Sequence, residues 1–386
     1  MITVTPDYYK DFKCIAGECT DTCCAGWDVD VDEKSYRYYK SVTGDFGKRL
    51  KSVMVPSEDG GCTFTLNDGR CPFLNDKNLC DLYIALGEDK LCDTCDEFPR
   101  FINEYGNIRE IGIAPSCKTA GELMFSYRDN LTFNQVESDE KISSYNDIDP
   151  LTYTQLKTAR NIAYEIVSDR GYSIRERIVL LLSFCKDIQG YLDKERDDLI
   201  INVSRRYASC EYRDDKIKKL KAKYYNPKKC FNIPKFFNTF KGMEVINPDW
   251  NIYCREVKEF FNSIKSNEKL KEIFKEFNSF MEDKEFEYEQ LLMYYIYRYF
   301  LDAVYDYNLL LKGKNAAVGY IALKIMEIAD RYLNDGKLTF ERRVDLAHLY
   351  SRQFEHSYYN FEVYREFFCS KKIYGYSNLI SILLSI

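Results

Sequence analysis

Residues 14–27 read Cys-Ile-Ala-Gly-Glu-Cys-Thr-Asp-Thr-Cys-Cys-Ala-Gly-Trp, which crowds Cys14, Cys19, Cys23 and Cys24 into one short run. Outward from it come Cys62, Cys71 (in Cys71-Pro72-Phe73-Leu74), Cys80, the pair Cys92 and Cys95, and Cys117. Ten of the fifteen cysteines therefore lie in the first 117 residues. Thiols grouped in this way cross-link, bind metal or pack. Residues 1–13 have neither a basic n-region nor an apolar core, so no signal peptide is expected and the chain reads as cytoplasmic. Disulfides rarely persist in that compartment, which favours metal binding or catalysis for the cluster.

Histidine contributes nothing to such a site from nearby, because His348 and His356 are the only two in the chain. Nine or ten thiols exceed one four-thiolate zinc site and suit an iron–sulfur cluster with the surplus in supporting or packing roles. No simple ferredoxin spacing is present, and spacing alone leaves zinc and iron–sulfur both standing. Adjacent Cys23 and Cys24 point to different sides of most backbones, so one of the two faces any given metal. Cys185, Cys210, Cys230, Cys254 and Cys369 are expected to be buried small hydrophobes.

The composition is that of a globular chain: 386 residues, 45% hydrophobic and 30% charged, with a formal net charge of -6 that offers no basic field to nucleic acid. The most apolar stretch, from Leu291 to Leu311, is interrupted by Arg298, Asp302 and Asp306, which argues against a membrane span. The 33 tyrosines and 25 phenylalanines fit either an aromatic groove or the codon bias of an AT-rich genome. Neither a G-x-G-x-x-G after a strand nor a Walker A run is present, so any nucleotide-type site is non-Rossmann or too degenerate to read.

Alternation over Asp28–Asp32 predicts a short strand, and Asp32 a cap for a helix through Tyr39. Asn67-Asp68-Gly69 predicts a turn joining Cys62–Leu66 to Cys71–Leu74 in one hairpin. A short helix from Leu79 ends at Gly87, a strand covers Asn107–Ala114, and a helix follows from Thr119 to Tyr127. Residues 128–149 are polar and aperiodic. Beyond them come helices opened by Asp149-Pro150 and by the capping box Ser173-x-x-Glu176, then further helices near 194–209, 252–281, 285–312, 316–333 and 340–357, and one ending near Phe368. The fold class is therefore mainly α. A small irregular cysteine-rich α+β module (1–127) is joined by a polar linker (128–149) to a larger all-α region (150–386).

Two further features admit two readings each. Residues 216–241 carry nine lysines and no acid, forming either an anion-binding segment or a solvated face. Asp345, His348, Ser351, Arg352, Glu355 and His356 share one broad helix face. They make either a catalytic wall, with Glu355 or His356 accepting a proton, or a salt-bridged packing face.

Cys14-x4-Cys19-x3-Cys23-Cys24-x2-Trp27 resembles the opening of the flagellin lysine-N-methylases, within the wider group of CxxCxxCC zinc- or iron-chelating proteins. Cys71-Pro-Phe-Leu, Leu79-Cys80 and Leu91-Cys92-Asp-Thr-Cys95-Asp-Glu-Phe-Pro-Arg100 continue that pattern in order. Ser116-Cys117 matches as well, although Lys118-Thr119 stands where the family has Pro-Glu. Tyr350-Ser-Arg-Gln-Phe-Glu-His-Ser357 resembles the family's terminal segment. The resemblance implies methyl transfer from S-adenosylmethionine to lysine ε-amines of flagellin. It also implies an iron–sulfur cluster, 4Fe-4S over zinc, held among Cys14, Cys19, Cys23, Cys24, Cys71, Cys80, Cys92, Cys95 and Cys117. Glu355 and His356 are the candidate catalytic groups. The rival reading is a non-enzymatic metal-binding module with a helical platform for protein partners.

Overall fold

The computed structural model describes residues 1–15, 18, 19, 21–26, 29–58, 60–141, 148–227 and 231–386. Trp27 and Asp28 of the expected motif and strand, Cys230, and part of the 128–149 linker lie outside the described residues. The N-terminal part runs β1 (Ile2–Pro6), β2 (Val29–Val31), α1 (Glu33–Ser41), α2 (Gly44–Val53), β3 (Met54–Pro56), β4 (Cys62–Phe64), α3 (Asp81–Leu86), α4 (Asp93–Glu97), β5 (Arg100–Tyr105), β6 (Ile108–Ile113), α5 (Lys118–Ser126) and β7 (Phe133–Glu137). Its caps follow from the side chains: Asp32 accepts from the Ser35 amide at 2.8 Å to open α1, and Gly87 closes α3 at φ 92°.

Two sheets result. One has the order β5-β6-β1-β7, with β1 parallel to β6 and antiparallel to β7. The other has the order β2-β4-β3 and is antiparallel. The expected Cys62–Leu74 hairpin is corrected here. The turn at Asn67–Arg70 forms, with Asp68 and Gly69 at positive φ. The arm after it pairs instead with the early cysteine run, through Cys71 N to Cys24 O at 2.8 Å and an Ala25–Arg70 bridge. Cys62 already has its neighbours in β2 and β3, so the later arm goes where backbone groups are still open.

The rest is helical: α6 (Pro150–Ser168), α7 (Ile174–Leu192), α8 (Ile200–Ala208), α9 (Cys210–Tyr224), α10 (Ile233–Phe237), α11 (Asp249–Ser263), α12 (Asn267–Met281), α13 (Glu285–Tyr299), α14 (Ala303–Asp306), α15 (Leu309–Leu333), α16 (Phe340–Glu355), α17 (Tyr358–Ser370) and α18 (Tyr376–Leu383). The single helix expected over 285–312 is broken. Tyr307 adopts φ 52°, and Asn308 then caps α15 by accepting from the Leu311 amide at 3.2 Å. The sequence spaces Leu292, Ile296, Tyr299, Ala303, Tyr307 and Leu310 by threes and fours as one apolar stripe, which is cut at this break, with Tyr307 exposed. The periodicity did not reveal α18, whose Leu379, Ile380 and Leu383 are buried on nearly every side.

The main core surrounds α7, α13 and α15, each apolar around most of its girth. It also takes in Val4, Phe101, Ile113, Ala120 and Phe125 from the N-terminal part. A second, small core holds Val29, Val31, Tyr39, Leu50, Phe64, Phe73 and Leu82 with Cys62, Cys71 and Cys92. Buried charges are paired across elements. Arg160 of α6 forks onto Glu110 of β6, and Arg343 of α16 forks onto Glu287 of α13 with two bonds of 2.7 Å. Such forks fix the mutual register of the elements they join.

Candidate functional site

The polar face of α16 divides into two halves with different partners. One half docks the cysteine run. His348 Nε2 and Arg352 Nη1 both bind the Asp21 carboxylate, the latter at 3.1 Å, while Arg352 Nη2 donates to the Ala25 carbonyl. Asp345 meets Lys118 at 2.8 Å. Burial raises the Asp21 carboxyl, but the His348 hydrogen bond and the charges of His348, Arg352 and Lys118 outweigh it and bring it down to about 2. Gly26 completes the contact at φ +84°. A Cβ there would stand 2.3 Å from the Ile246 carbonyl oxygen, so this backbone approach needs glycine.

The other half faces a cleft of about 920 Å³ between the helical region and the N-terminal part. Glu355 sits in its wall. Glu355 Oε1 accepts from Tyr294 at 2.7 Å, from Tyr299, and from Arg298 at 3.3 Å; Oε2 accepts from Ser351. Arg298 is stacked against Phe101 and Tyr299, with centroids at 5.0 and 5.1 Å. His356 packs edge-to-face on Phe98 at 5.3 Å. Burial, then the charges of Arg352, Arg298 and His348, push the His356 imidazole down to about 3, which leaves it neutral and a weak proton acceptor at physiological pH. Five carboxylates line the cleft (Asp30, Glu97, Glu244, Asp302 and Glu355) against two arginines, Arg100 and Arg298. Burial is the main reason that Asp302 is lifted to about 6; Lys312 opposes the shift and Asp306 adds to it.

On the other side of residues 97–100, and sharing Thr94, Ile102 and Ser116 with the cleft, lies a cavity of about 1070 Å³. Cys14, Cys19, Cys23, Cys24, Cys71, Cys80, Cys95 and Cys117 line it. Backbone N–H groups point at several of these sulfurs. The Tyr83 amide reaches Cys80 Sγ at 3.5 Å at the start of α3, and the amides of Ala120 and Thr119 act on Cys117 at the start of α5. Burial raises the Cys71, Cys80 and Cys117 thiols, Cys71 to about 12, while these amides favour the thiolate. Among the described residues no three Cys, His, Asp or Glu side chains are gathered tightly enough to grip an ion. The donor set itself, thiols with amide donors behind them, suits a thiolate-held metal.

The structure thus brings eight of the nine candidate cysteine ligands to one cavity and places Glu355 and His356 on the wall of the neighbouring cleft. Cys92 sits behind Cys95, in the small core. Of the later cysteines, Cys185 and Cys254 are buried, whereas Cys210 and Cys369 are exposed; they occupy solvent-facing ends of α9 and α17, not the apolar faces expected. Sequence reasoning passed over Asp21, Tyr294 and Glu244, and placed Tyr299 only in an apolar stripe. It noted Arg298 and Asp302 only as interruptions of an apolar stretch. Charged residues inside such a stretch were the available signal. No helix among the described residues is long and apolar enough to cross a membrane.

No solved structure matches the chain. It is 24% identical to the flagellar biosynthetic protein FliU of Salmonella muenchen over 150 residues, which covers 36% of this chain and 85% of that protein. It is also 24% identical over 199 residues to the lysine-N-methylases of Salmonella choleraesuis (strain SC-B67) and Salmonella typhimurium (strain LT2), covering 49% of this chain and only 48% of each of them. The model of the FliB lysine N-methylase C-terminal domain matches residues 160–382, from the Arg160 fork to α18 and including all of α16, and by that match over more than half its length the chain belongs to the FliB lysine N-methylase family.

Proposed function

We propose that this protein transfers a methyl group from S-adenosylmethionine to the ε-amine of lysines on flagellin, and that its N-terminal thiols hold an iron–sulfur cluster. Family membership supports lysine methylation, and the relative named for flagellar biosynthesis supports a flagellar substrate. The observation that carries the reading is the cleft itself: acid-rich and aromatic, at the junction of the two parts, with Glu355 in its wall. An acidic cleft attracts a lysine side chain. The faces of Phe98, Phe101, Tyr299 and Phe361 suit a sulfonium or a methylated ammonium.

S-adenosylmethionine supplies the methyl group as a sulfonium electrophile. This chain's residues must then present a neutral amine, because an ammonium has no lone pair. Glu355 Oε2, engaged only by Ser351 among the described residues, has acceptor capacity left for an incoming ammonium. Asp302, lifted to about 6, is matched to receiving a proton near neutral pH. Arg298 disfavours a second cation close by, which pushes the bound amine toward its neutral form. The cavity thiols would hold the cluster against the far side of residues 97–100 and brace that wall.

The test is intact-mass analysis of flagellin after incubation with the protein and S-adenosylmethionine. Additions of one or more methyl masses, mapped to lysine, are expected. Absence of transfer to flagellin and to lysine peptides alike would favour a metal-binding interaction module.

A further inference from the structure

Neither the cleft nor the thiol cavity uses the lysine-rich stretch 216–241. Its aromatic residues have turned inward. Phe236, Phe237 and Phe240 are buried, and Phe236 packs edge-on against Phe231 at 5.4 Å and Tyr374 at 5.8 Å. Tyr225 is left as the exposed ring of the stretch, too few faces for the successive bases of a single strand to stack on.

The lysines divide by their partners. Lys216, Lys219 and Lys221 of α9 are matched by Asp187, Asp215 and Glu176 at 2.6, 2.5 and 2.6 Å. Lys235 of α10 is exposed and pairs with no carboxylate among the described residues; the same holds for Lys271 of α12 and for Lys372, just after α17. Lys235 and Lys372 flank a groove of about 320 Å³ that also presents Asn232, Asn378, Ser381 and Ser385. Past Phe231 and Ser385 it adjoins a smaller hollow lined by Lys271. No carboxylate side chain among the described residues lines either. Asn232 gives its carbonyl oxygen to the Lys235 amide at 2.9 Å, which leaves its NH2 group to donate. Ile386, beside Ser385, is buried with its backbone oxygen on Arg175 at 2.7 Å. In a chain of net charge -6, cations gathered without counter-charge offer a site to an anion.

The groove is tied to the cleft by α17. Tyr359 and Phe361 near the start of that helix line the cleft, and Lys372 follows its end. Its 13 residues make a spacer of about 20 Å.

We propose that this groove docks an acidic segment of the protein substrate, carboxylates on Lys235 and Lys372, while the target lysine enters the acid-rich cleft at the other end of α17. The two sites are opposite in charge, so a substrate segment fits them in one direction only. An extended chain advances about 3.3 Å per residue, which puts the acidic side chains about six or more residues from the lysine in a continuous segment. The proposal takes the substrate's identity from the methyl-transfer reading; the binding itself does not depend on it.

The experiment compares the full-length protein with Lys235→Glu/Lys372→Glu, a reversal at two exposed positions. Lys48→Glu/Lys337→Glu, at exposed positions elsewhere, controls for net charge. On flagellin the groove variant should raise KM about tenfold and leave kcat unchanged. The deficit should close at about 1 M salt, where the screening length falls to about 3 Å. The control variant should behave as wild type, and a short lysine peptide without acids should be methylated equally by all three proteins. Flagellin kinetics within twofold of wild type in the groove variant, or an equal loss in the control or on the peptide, overturn the proposal. A second arm needs no turnover: a fluorescent hexaglutamate peptide should bind wild type and lose about tenfold in affinity on the groove variant. Equal affinity for both, or preference for a single-stranded oligonucleotide of the same charge, overturns the docking site. Wild type that binds hexaglutamate through the groove but methylates nothing supports the docking site and overturns the methyl-transfer reading instead.

Discussion

Glu355→Gln keeps the size of the side chain and removes its charge, and the structure says what each half of that change does. Oε1 receives Tyr294, Tyr299 and Arg298, and a glutamine carbonyl oxygen in that place keeps all three. The amide nitrogen then replaces Oε2 opposite Ser351, whose hydroxyl can turn and accept. Folding therefore loses mainly the charge-assisted part of the Arg298 and tyrosine bonds, about 1–2 kcal/mol, or a few degrees in Tm. Glu355→Ala would instead strand Arg298 without its carboxylate, at about 3–5 kcal/mol. Catalysis is affected differently. An ammonium that had hydrogen-bonded to Oε2 would meet an N–H donor, and losing a charge-assisted bond of about 1.5–3 kcal/mol lowers kcat/KM roughly 10- to 100-fold. The assay is mass-resolved methylation of flagellin, with thermal unfolding and metal content measured on the same samples. A variant that is a few degrees less stable but methylates within twofold of wild type would refute the substrate contact and leave Glu355 as a brace for Arg298.

Asp302→Asn should remove a kinetic limb. If Asp302 takes the proton, wild-type kcat/KM rises as pH climbs through about 6 and the carboxyl ionises, and in the variant that limb disappears from the pH–rate profile. Gly26→Ala should destabilise the docked cysteine run by more than 1 kcal/mol, since its Cβ meets the Ile246 carbonyl at a positive φ; faster proteolysis within residues 14–27 would report it. Glu110→Ala should cost about 3–5 kcal/mol by leaving Arg160 unpaired, whereas the double replacement with apolar residues of similar volume should cost far less, as judged by denaturant unfolding. Glu327 is raised to about 8, chiefly by burial. Its raised native pKa means that the native state holds a proton the unfolded chain has released between about pH 4.5 and 8. Its contribution is therefore lost as pH rises through that window, and Glu327→Gln should flatten the fall in Tm measured across it.

Local signals proved readable where one residue decides one bond. Asp32, Asp149 and Ser173 cap the helices they were expected to cap, and the crowding of thiols pointed to the cavity they line. What the chain did not disclose is non-local. Nothing near Asn67–Arg70 says that the arm after the turn will prefer the Cys24 backbone to β4, because that choice depends on which edges are already occupied. Spacing on α16 correctly collected Asp345, His348, Ser351, Arg352, Glu355 and His356, yet it gave no hint that half of them would serve Asp21 and Lys118 and half the cleft. A helical face reports which side chains travel together, not what they meet. Arg298 and Asp302 argued correctly against a membrane-spanning helix, but that reading carried no information about the protein cleft they line.

The Asp21 anchor joins residues far apart in the chain, 327 positions to His348 and 331 to Arg352. During synthesis the early cysteines leave the ribosome long before the helix that secures them. Until that helix emerges, the contacts that hold Asp21 have no partner to form with. Their final arrangement becomes available only when α16 has been made and packed. Clamping of the run is thereby tied to completion of the helical region, so a chain interrupted before residue 348 would leave its cysteine run unclamped however well the first 117 residues had folded.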